Sequence, residues 1–386
     1  MYIKRILVLA VFILLSVNIL PAENVIKIYS EARKGGGFDL YGDNTDLIPY
    51  HVELSFTKLE NLSSNQKIPY TFVLPSRSDK NYILSLTPPN NDRYSFNFIF
   101  YYYKGDPWTV HHNDFYHYLF PFAHGAKYRI DQGYNGASTH KGNSAYSLDF
   151  GLDIGTPVHA AREGLVCGVK EDSNIGGPEE KFAEYGNYIE IYHSDGSFAT
   201  YVHLKQNGAL VEPGDMVKAG DLIGYSGNTG LSSGPHLHFA VSIPVLKGTK
   251  TIPVQFLNYD LQPVSPQQGL YYYATHPGKP AFKVELAQAI SNSDYDNYSE
   301  TIDQTDKIEF RTETIDTKVL IFARNGFTSD KKLTINFTLT NMQPSKKLPY
   351  DTRLPALKEV FLFYLEIKDY TKYWKYKYNY KYGNID

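Results

Sequence analysis

Six residues recur with one spacing at the two ends of this chain. Asn61, Lys67, Pro69, Tyr70, Leu74 and Pro75 reappear 280 positions later as Asn341, Lys347, Pro349, Tyr350, Leu354 and Pro355. Just upstream, Leu333, Ile335 and Phe337 echo Val52, Leu54 and Phe56 with a one-residue slip. Both triplets alternate with period two, which puts their side chains on one face of a strand. An aromatic row closes each segment. The first is Tyr94, Phe96, Phe98, Phe100 and Tyr102; the second is Trp374, Tyr376, Tyr378, Tyr380 and Tyr382; a glycine follows each. We read two copies of one β-sandwich-like module flanking a central region. The 34 Tyr and 22 Phe residues support this, because aromatics fit the half-buried surface of a pleated sheet. No window of residues 24–105 sustains a helical period. In the second row Lys375, Lys377 and Lys381 take the opposite face. That strand has two readings: a sugar-stacking platform, or a core-facing aromatic row whose lysines guard a sheet edge.

The N-terminus predicts export. Lys4 and Arg5 precede an apolar run from Ile6 to Leu20, shorter than the ~20 residues a membrane span needs. Charged residues followed by a short apolar run read as a secretory signal over residues 1–22, cut after Ala22. The expected location is therefore a bacterial periplasm, the cell envelope or the medium. A membrane tether arises only if the signal stays uncleaved. The single cysteine, Cys167, excludes an intrachain disulfide framework and a four-cysteine zinc module. A formal net charge of −3 argues against nucleic acid as a partner.

The chemistry-bearing residues lie in the middle. In Gly234-Pro235-His236-Leu237-His238-Phe239 two histidines stand at i and i+2, so a strand would point both imidazoles to one face. Two neutral imidazoles on one face make half of a metal site. His203 ends a second strand-like run, Ala199 to Leu204. Further upstream stand His140 and Tyr146-Ser147-Leu148-Asp149-Phe150-Gly151. A histidine, a carboxylate and the His-x-His pair would supply three ligands and leave one position open. One or two histidines would remain for catalysis.

From about Phe122 to Val241, about a third of the chain, the sequence resembles the lysostaphin-type zinc endopeptidases, which cut peptide bonds in bacterial peptidoglycan. The resemblance rests on His140…Asp149, Gly155-Thr156-Pro157-Val158, Gly186-Asn187-Tyr188, Tyr201-Val202-His203, Tyr225-Ser226-Gly227-Asn228-Thr229-Gly230 and the closing His236-Leu237-His238. It implies that His140, Asp149 and His238 hold one zinc ion and that His203 and His236 are catalytic. It also implies peptidoglycan peptides as substrate. Many members place the first histidine four residues before the aspartate. Here the gap is nine, with Lys141 to Ser144 as a returning loop and His124 as the alternative ligand.

The remaining features read as structural. His193 and His159 sit beside turns, and Cys167 packs as a small hydrophobe in Leu165-Val166-Cys167. His111, His112 and His117 belong to the connector. The polar segment from Glu171 to Gly186 is either a groove wall or a surface loop. Val211 to Asp221 also looks like a biotinyl or lipoyl carrier hairpin, but Lys218 falls in a strand and that reading leaves the histidines unexplained. A catalytically silent wall-binding or regulatory protein is the other alternative. The expected architecture is all-β: an antiparallel-sheet zinc peptidase domain (111–283, core 119–243) between modules at 23–110 and 284–386. An acidic linker or peripheral strand region covers roughly 284–315.

Overall fold

The computed structural model describes residues 25–89, 93–369 and 372–385; the signal over residues 1–22 lies outside them. The described chain is almost entirely strand and turn, with only short 3-10 turns as helical elements. Among the described residues no helix is long and apolar enough to cross a membrane. By contacts the chain divides into two units. Everything described up to Gln268, with Tyr272–Pro280, forms one; Gly269–Tyr271 with Ala281 onward forms the other.

In the first unit, two N-terminal sheets share a core. One runs Ile26–Ala32, Phe38–Asn44, Ser78–Thr87, Ser63–Ser64; the other runs Tyr70–Leu74, Tyr50–Glu60, Ser95–Lys104. The alternating Val52 and Leu54 bury fully between them against Leu40, Leu74 and Leu84. The central sheet is antiparallel. Its path runs Gly164–Lys170, Tyr188–Tyr192, Phe198–Val202, Leu237–Val245, Ser147–Phe150, Lys127–Gln132. Its alternating Ile189 and Ile191, with Tyr201, Phe239 and Phe150, are buried.

The second unit repeats the N-terminal pattern. A sheet of order Ser299–Thr301, Lys358–Ile367, Lys318–Asn325, Ile308–Ile315 faces one of order Tyr350–Leu354, Lys331–Thr340, Lys375–Asn384. Leu333 and Ile335 occupy its core with Val319, Ile321 and Leu354. The one-residue slip read from the sequence is visible in the pairing: Tyr50 faces Leu74 in the first copy and Lys331 faces Leu354 in the second. A buried asparagine fastens each copy. Asn44 Nδ2 donates to the carbonyls of Ile48, Leu74 and Pro75, and Asn325 Nδ2 donates to those of Ser329, Leu354 and Pro355. Each side chain thus supplies the donor that three carbonyls, two on one loop and one on another, would otherwise lack.

Two local expectations change. The tyrosine row of Lys375–Asn384 is only partly core-facing: Tyr376 packs on the core, while Tyr378, Tyr380 and Tyr382 keep 43%, 43% and 48% of their surface in solvent. The strand lies at a sheet edge, so its rings meet only one flank of the core, at Phe310, Phe327 and Phe337. Lys218 lies just past the strand Met216–Val217, in a turn where its backbone N–H donates to Asp221 Oδ2. The acidic stretch carries 3-10 turns at Ala287–Ala289 and Asn292–Tyr295, an edge strand at Ser299–Thr301 and part of the sheet strand Ile308–Ile315.

Candidate metal centre

Sheet register builds the site. Ser147–Phe150 and Leu237–Val245 are antiparallel neighbours that place Asp149 directly opposite His238. Phe198–Val202 lies on the other side of Leu237–Val245, with Val202 opposite His238. The chain turns sharply there, and His203 takes a φ of 67°, in the left-handed region. This turn carries the imidazole off the regular strand and over the sheet end. His236 directly precedes its strand and bridges Gly227. Although only His238 is within regular strand, both rings of the His-x-His pair reach Asp149.

Asp149 Oδ1 is the point of convergence. It lies 2.9 Å from His238 Nδ1, 3.2 Å from His140 Nε2 and 3.7 Å from His236 Nε2. One ligand atom from each of His140, Asp149 and His238 falls within 4.8 Å of the others. The nine-residue gap is therefore spanned as expected: Gly142–Ser144 forms a 3-10 turn that returns the chain from His140 to the strand. His124 is elsewhere. Its Nε2 donates to the Pro280 carbonyl and its Nδ1 accepts from the His276 backbone, so neither nitrogen is available as the alternative ligand.

Backbone carbonyls fix three imidazole tautomers, since a carbonyl can only accept. His140 Nδ1 donates to Gly133 O at 2.8 Å, leaving the Nε2 lone pair toward Asp149. His203 Nδ1 donates to Thr229 O at 2.7 Å, and His236 Nδ1 donates to Gly234 O at 2.8 Å. A ligating histidine that donates its other N–H to a carbonyl is the arrangement that orients metal sites. The His203 and His236 rings lie tilted against each other with centroids 4.5 Å apart. Burial drives the His203 pKa down to about 3, helped by the neighbouring His236 and His238. Burial alone would raise the Asp149 pKa, but the neighbouring His140, His238 and His236 outweigh it and hold the carboxyl well below its usual range.

The donor set fits zinc: two imidazole nitrogens and one carboxylate oxygen aimed at a common point, with solvent access beside them. The same three protein ligand types, with a fourth position open, distinguish catalytic sites from closed structural ones.

Several supporting residues gave no signal in the sequence. Gln132 Nε2 donates 3.0 Å to Asp149 Oδ2 and 2.8 Å to Thr139 Oγ1, while its Oε1 accepts from Ser138 N. It thus ties the outer carboxylate oxygen to the loop that leads into His140. Gln132→Ala should weaken zinc affinity by about 10–100-fold, the effect of losing an outer hydrogen bond to a ligand; competition against a chromogenic chelator would measure it, and unchanged affinity would remove Gln132 from the site. Asn187, whose Gly-Asn context the resemblance did flag, donates to the Ser173 and Leu204 carbonyls, and its backbone N–H donates to Thr229 Oγ1. It supports the same loop whose carbonyl holds His203. The polar segment pairs with the loop that holds His203: Gly176–Gly177 runs parallel to Gly230–Leu231. A Cβ on Gly230, at φ 79°, would stand 2.5 Å from Gly186 Cα, so this position needs glycine.

The structural histidines are elsewhere. His159 Nδ1 donates to Gly220 O, and His112 spans Asp114 and Tyr118. Cys167 Sγ packs 3.5 Å from the Glu190 carboxylate, beside Lys104, which makes its surroundings more polar than the apolar run suggested. His193 is buried, donates from Nδ1 to Glu163 O and leaves Nε2 without a partner among the described residues. Burial pushes its pKa down from 6.5 to about 4. The folded form resists protonation, so this contribution is complete above pH 6.5 and is lost as pH falls through about 4. Roughly 3 kcal/mol is at stake. Denaturant unfolding at a series of pH values should therefore show a loss of stability toward pH 4, and His193→Asn should flatten that slope.

Comparison with known proteins places this site. The profile of peptidase family M23 matches residues 143–253, which include Asp149, His203, His236 and His238 and begin three residues after His140. An uncharacterized metalloprotease of Buchnera aphidicola is 32% identical over 208 residues, covering 52% of this chain and 51% of that protein. Lysostaphin of Staphylococcus simulans is 42% identical over 99 residues, covering 25% of this chain and 18% of lysostaphin. The peptidoglycan DD-endopeptidase ShyA of Vibrio cholerae is 36% identical over 95 residues, 25% of this chain and 19% of ShyA. The solved catalytic domain of Staphylococcus simulans lysostaphin is 32% identical, with 31% of this chain and 81% of that domain covered and a TM-score of 0.23. Residues 143–253 are thus a peptidase family M23 domain, similar to that of lysostaphin. It spans about half the length of its Buchnera relative and under a fifth of lysostaphin.

Proposed function

We propose that this chain is an exported zinc endopeptidase that hydrolyses peptide bonds in bacterial peptidoglycan. Its catalytic domain covers 111–283 between two β-modules. His140, Asp149 and His238 would hold one zinc ion. The observation that carries the reading is the meeting of His140, Asp149 and His238 within 4.8 Å, with the His203 and His236 rings beside them. Similarity to the peptidoglycan DD-endopeptidase ShyA supports the substrate, and similarity to the glycyl-glycine endopeptidase ALE-1 of Staphylococcus capitis supports peptide-bond cleavage.

Zinc, when bound, lowers the pKa of a coordinated water toward ~7 and polarises a carbonyl. The chain's own part is proton handling. His203 and His236 each donate from Nδ1 to a backbone carbonyl, which leaves each Nε2 as the proton acceptor. The low His203 pKa keeps that ring neutral at pH 7, and once protonated it readily gives the proton up. Either Nε2 can take the proton of the attacking water and, once protonated, return it to the leaving amine.

Digestion of purified peptidoglycan by residues 23–386, with and without a zinc chelator, tests this. New amino termini that disappear with chelator are expected in the released fragments, and their sequence names the bond. A folded, zinc-loaded chain that releases nothing would favour the catalytically silent wall-binding reading.

A further inference from the structure

The two sandwich copies differ in what completes their cores and in their aromatic strands. In the first copy the aromatic strand Ser95–Lys104 is at the sheet edge and is covered. Phe198 completes the core, with Tyr192 and Cys167 packed on it. Lys104 pairs with Glu190, Lys247 pairs with Glu53, and the Lys247 backbone N–H donates to His51 Nε2. Gly105 comes so close to Pro244 that a Cβ there would stand 2.9 Å from it. In the second copy the core consists of residues of its own two sheets.

The matching strand of the second copy, Lys375–Asn384, has changed in a consistent direction. Pairing aligns Phe98 with Tyr378 and Phe100 with Tyr380, because each lies opposite the equivalent core residue of the neighbouring strand. On the other face Ser95, Asn97 and Tyr101 correspond to Lys375, Lys377 and Lys381. Apolar rings have gained hydroxyls, and neutral positions have gained charge. The hydroxyls of Tyr378, Tyr380 and Tyr382 reach no partner among the described residues, and the three lysines make no ion pair there. The tyrosine rings follow one another at centroid spacings of 6.5 and 6.4 Å, half in solvent. Where Lys247 covers His51 in the first copy, the second has Lys332 at the rim of an open depression of about 510 Å³, with Arg353 and Asn384.

We propose that this edge strand binds a linear, carboxylate-bearing polysaccharide. The alternation selects the ligand. Lysines along an edge strand block the addition of another strand, and lysine is depleted from protein interface cores, so a protein occupant is disfavoured. A second copy would bring the same positive charges against these. Ring faces that are apolar with wet hydroxyl tips suit sugar rings, which present C–H faces and hydroxyl edges. The lysines alternate with the rings and leave the strand on its opposite face, which puts along the same edge the positive charge that carboxylates need. The proposal concerns a surface in the second unit and stands independently of the peptidase reading.

The test uses the full chain and peptide-free glycan strands prepared from peptidoglycan, whose carboxyl groups are exposed, with carboxyl-reduced strands and dextran as controls. Titration should show binding that weakens with salt and is lost on carboxyl reduction. The combined variant Lys375→Ser, Lys377→Asn, Lys381→Gln should weaken it by about tenfold or more. Tyr378→Phe with Tyr380→Phe keeps the packing on Phe310 and should weaken binding by about threefold through lost hydroxyl hydrogen bonds. Equal binding by the lysine variant, or by the carboxyl-reduced strands, overturns the proposal. So does self-association in sedimentation that the tyrosine variant abolishes, which would make the strand an interface between copies. Cleavage of a soluble peptidoglycan peptide should be unchanged in both variants. A chain that binds glycan but cuts no peptide would count against the peptidase reading alone.

Discussion

Asp149→Ala is expected to abolish both stoichiometric zinc and peptidoglycan cleavage. Its Oδ1 is the one atom that both ligand imidazoles, His140 and His238, approach within 3.2 Å, and the only anionic donor of the set. Losing an outer hydrogen bond to a ligand costs about 10–100-fold in metal affinity, so losing the ligand itself should exceed about 100-fold. Asp149→Asn sharpens the test, because it keeps the shape and an oxygen but not the charge. If the centre depends on the carboxylate, both variants lose zinc by elemental analysis while keeping the native unfolding transition. Retention of one zinc per chain by Asp149→Asn, with full activity, would mean that charge at this position is dispensable and that the three-ligand assignment is wrong.

How much of this was legible beforehand depends on the range of the interactions. Strand periodicity made the two outer modules visible, since Val52 and Leu54 alternate into one core as Leu333 and Ile335 alternate into another. Metal-competent residue types at recognisable spacings made the cluster visible as candidates. What brings them together is register between strands far apart in sequence, Asp149 opposite His238 and Val202 opposite His238, and a single chain cannot display that. Gln132 and the asparagines at 44 and 325 were silent for a related reason. An amide side chain becomes informative only when the carbonyl or carboxylate it serves is known. The tyrosine row was misjudged because period two reports which residues share a face, not whether the strand lies at an edge with half of that face uncovered. The N-terminal sandwich and the central sheet form one contact unit for a reason periodicity also hides. Phe198, on a central strand, fills the core of the first sandwich.

His203→Ala and His236→Ala should each lower turnover by about 10²–10⁴-fold, the range of a positioned acid or base, while leaving zinc content unchanged. The separation from the Asp149 variants follows from geometry. His236 Nε2 is 3.7 Å from Asp149 Oδ1, beyond the shorter contacts of the two ligand histidines, and the His203 ring is 5.9 Å from that of His238. Neither is part of the group of converging ligand atoms. Both have Nδ1 committed to a carbonyl, so removing the ring deletes the one nitrogen left to handle a proton. The double variant should cost less than the product of the single losses, because two rings 4.5 Å apart that share the protons of one reaction act as a unit. Substrate affinity offers a further discriminator. A ring that handles protons lowers kcat and leaves KM nearly unchanged, whereas a ring that only shapes the groove raises KM. Loss of zinc from either variant would reassign that histidine to the metal, and full activity of His236→Ala would remove it from the chemistry altogether.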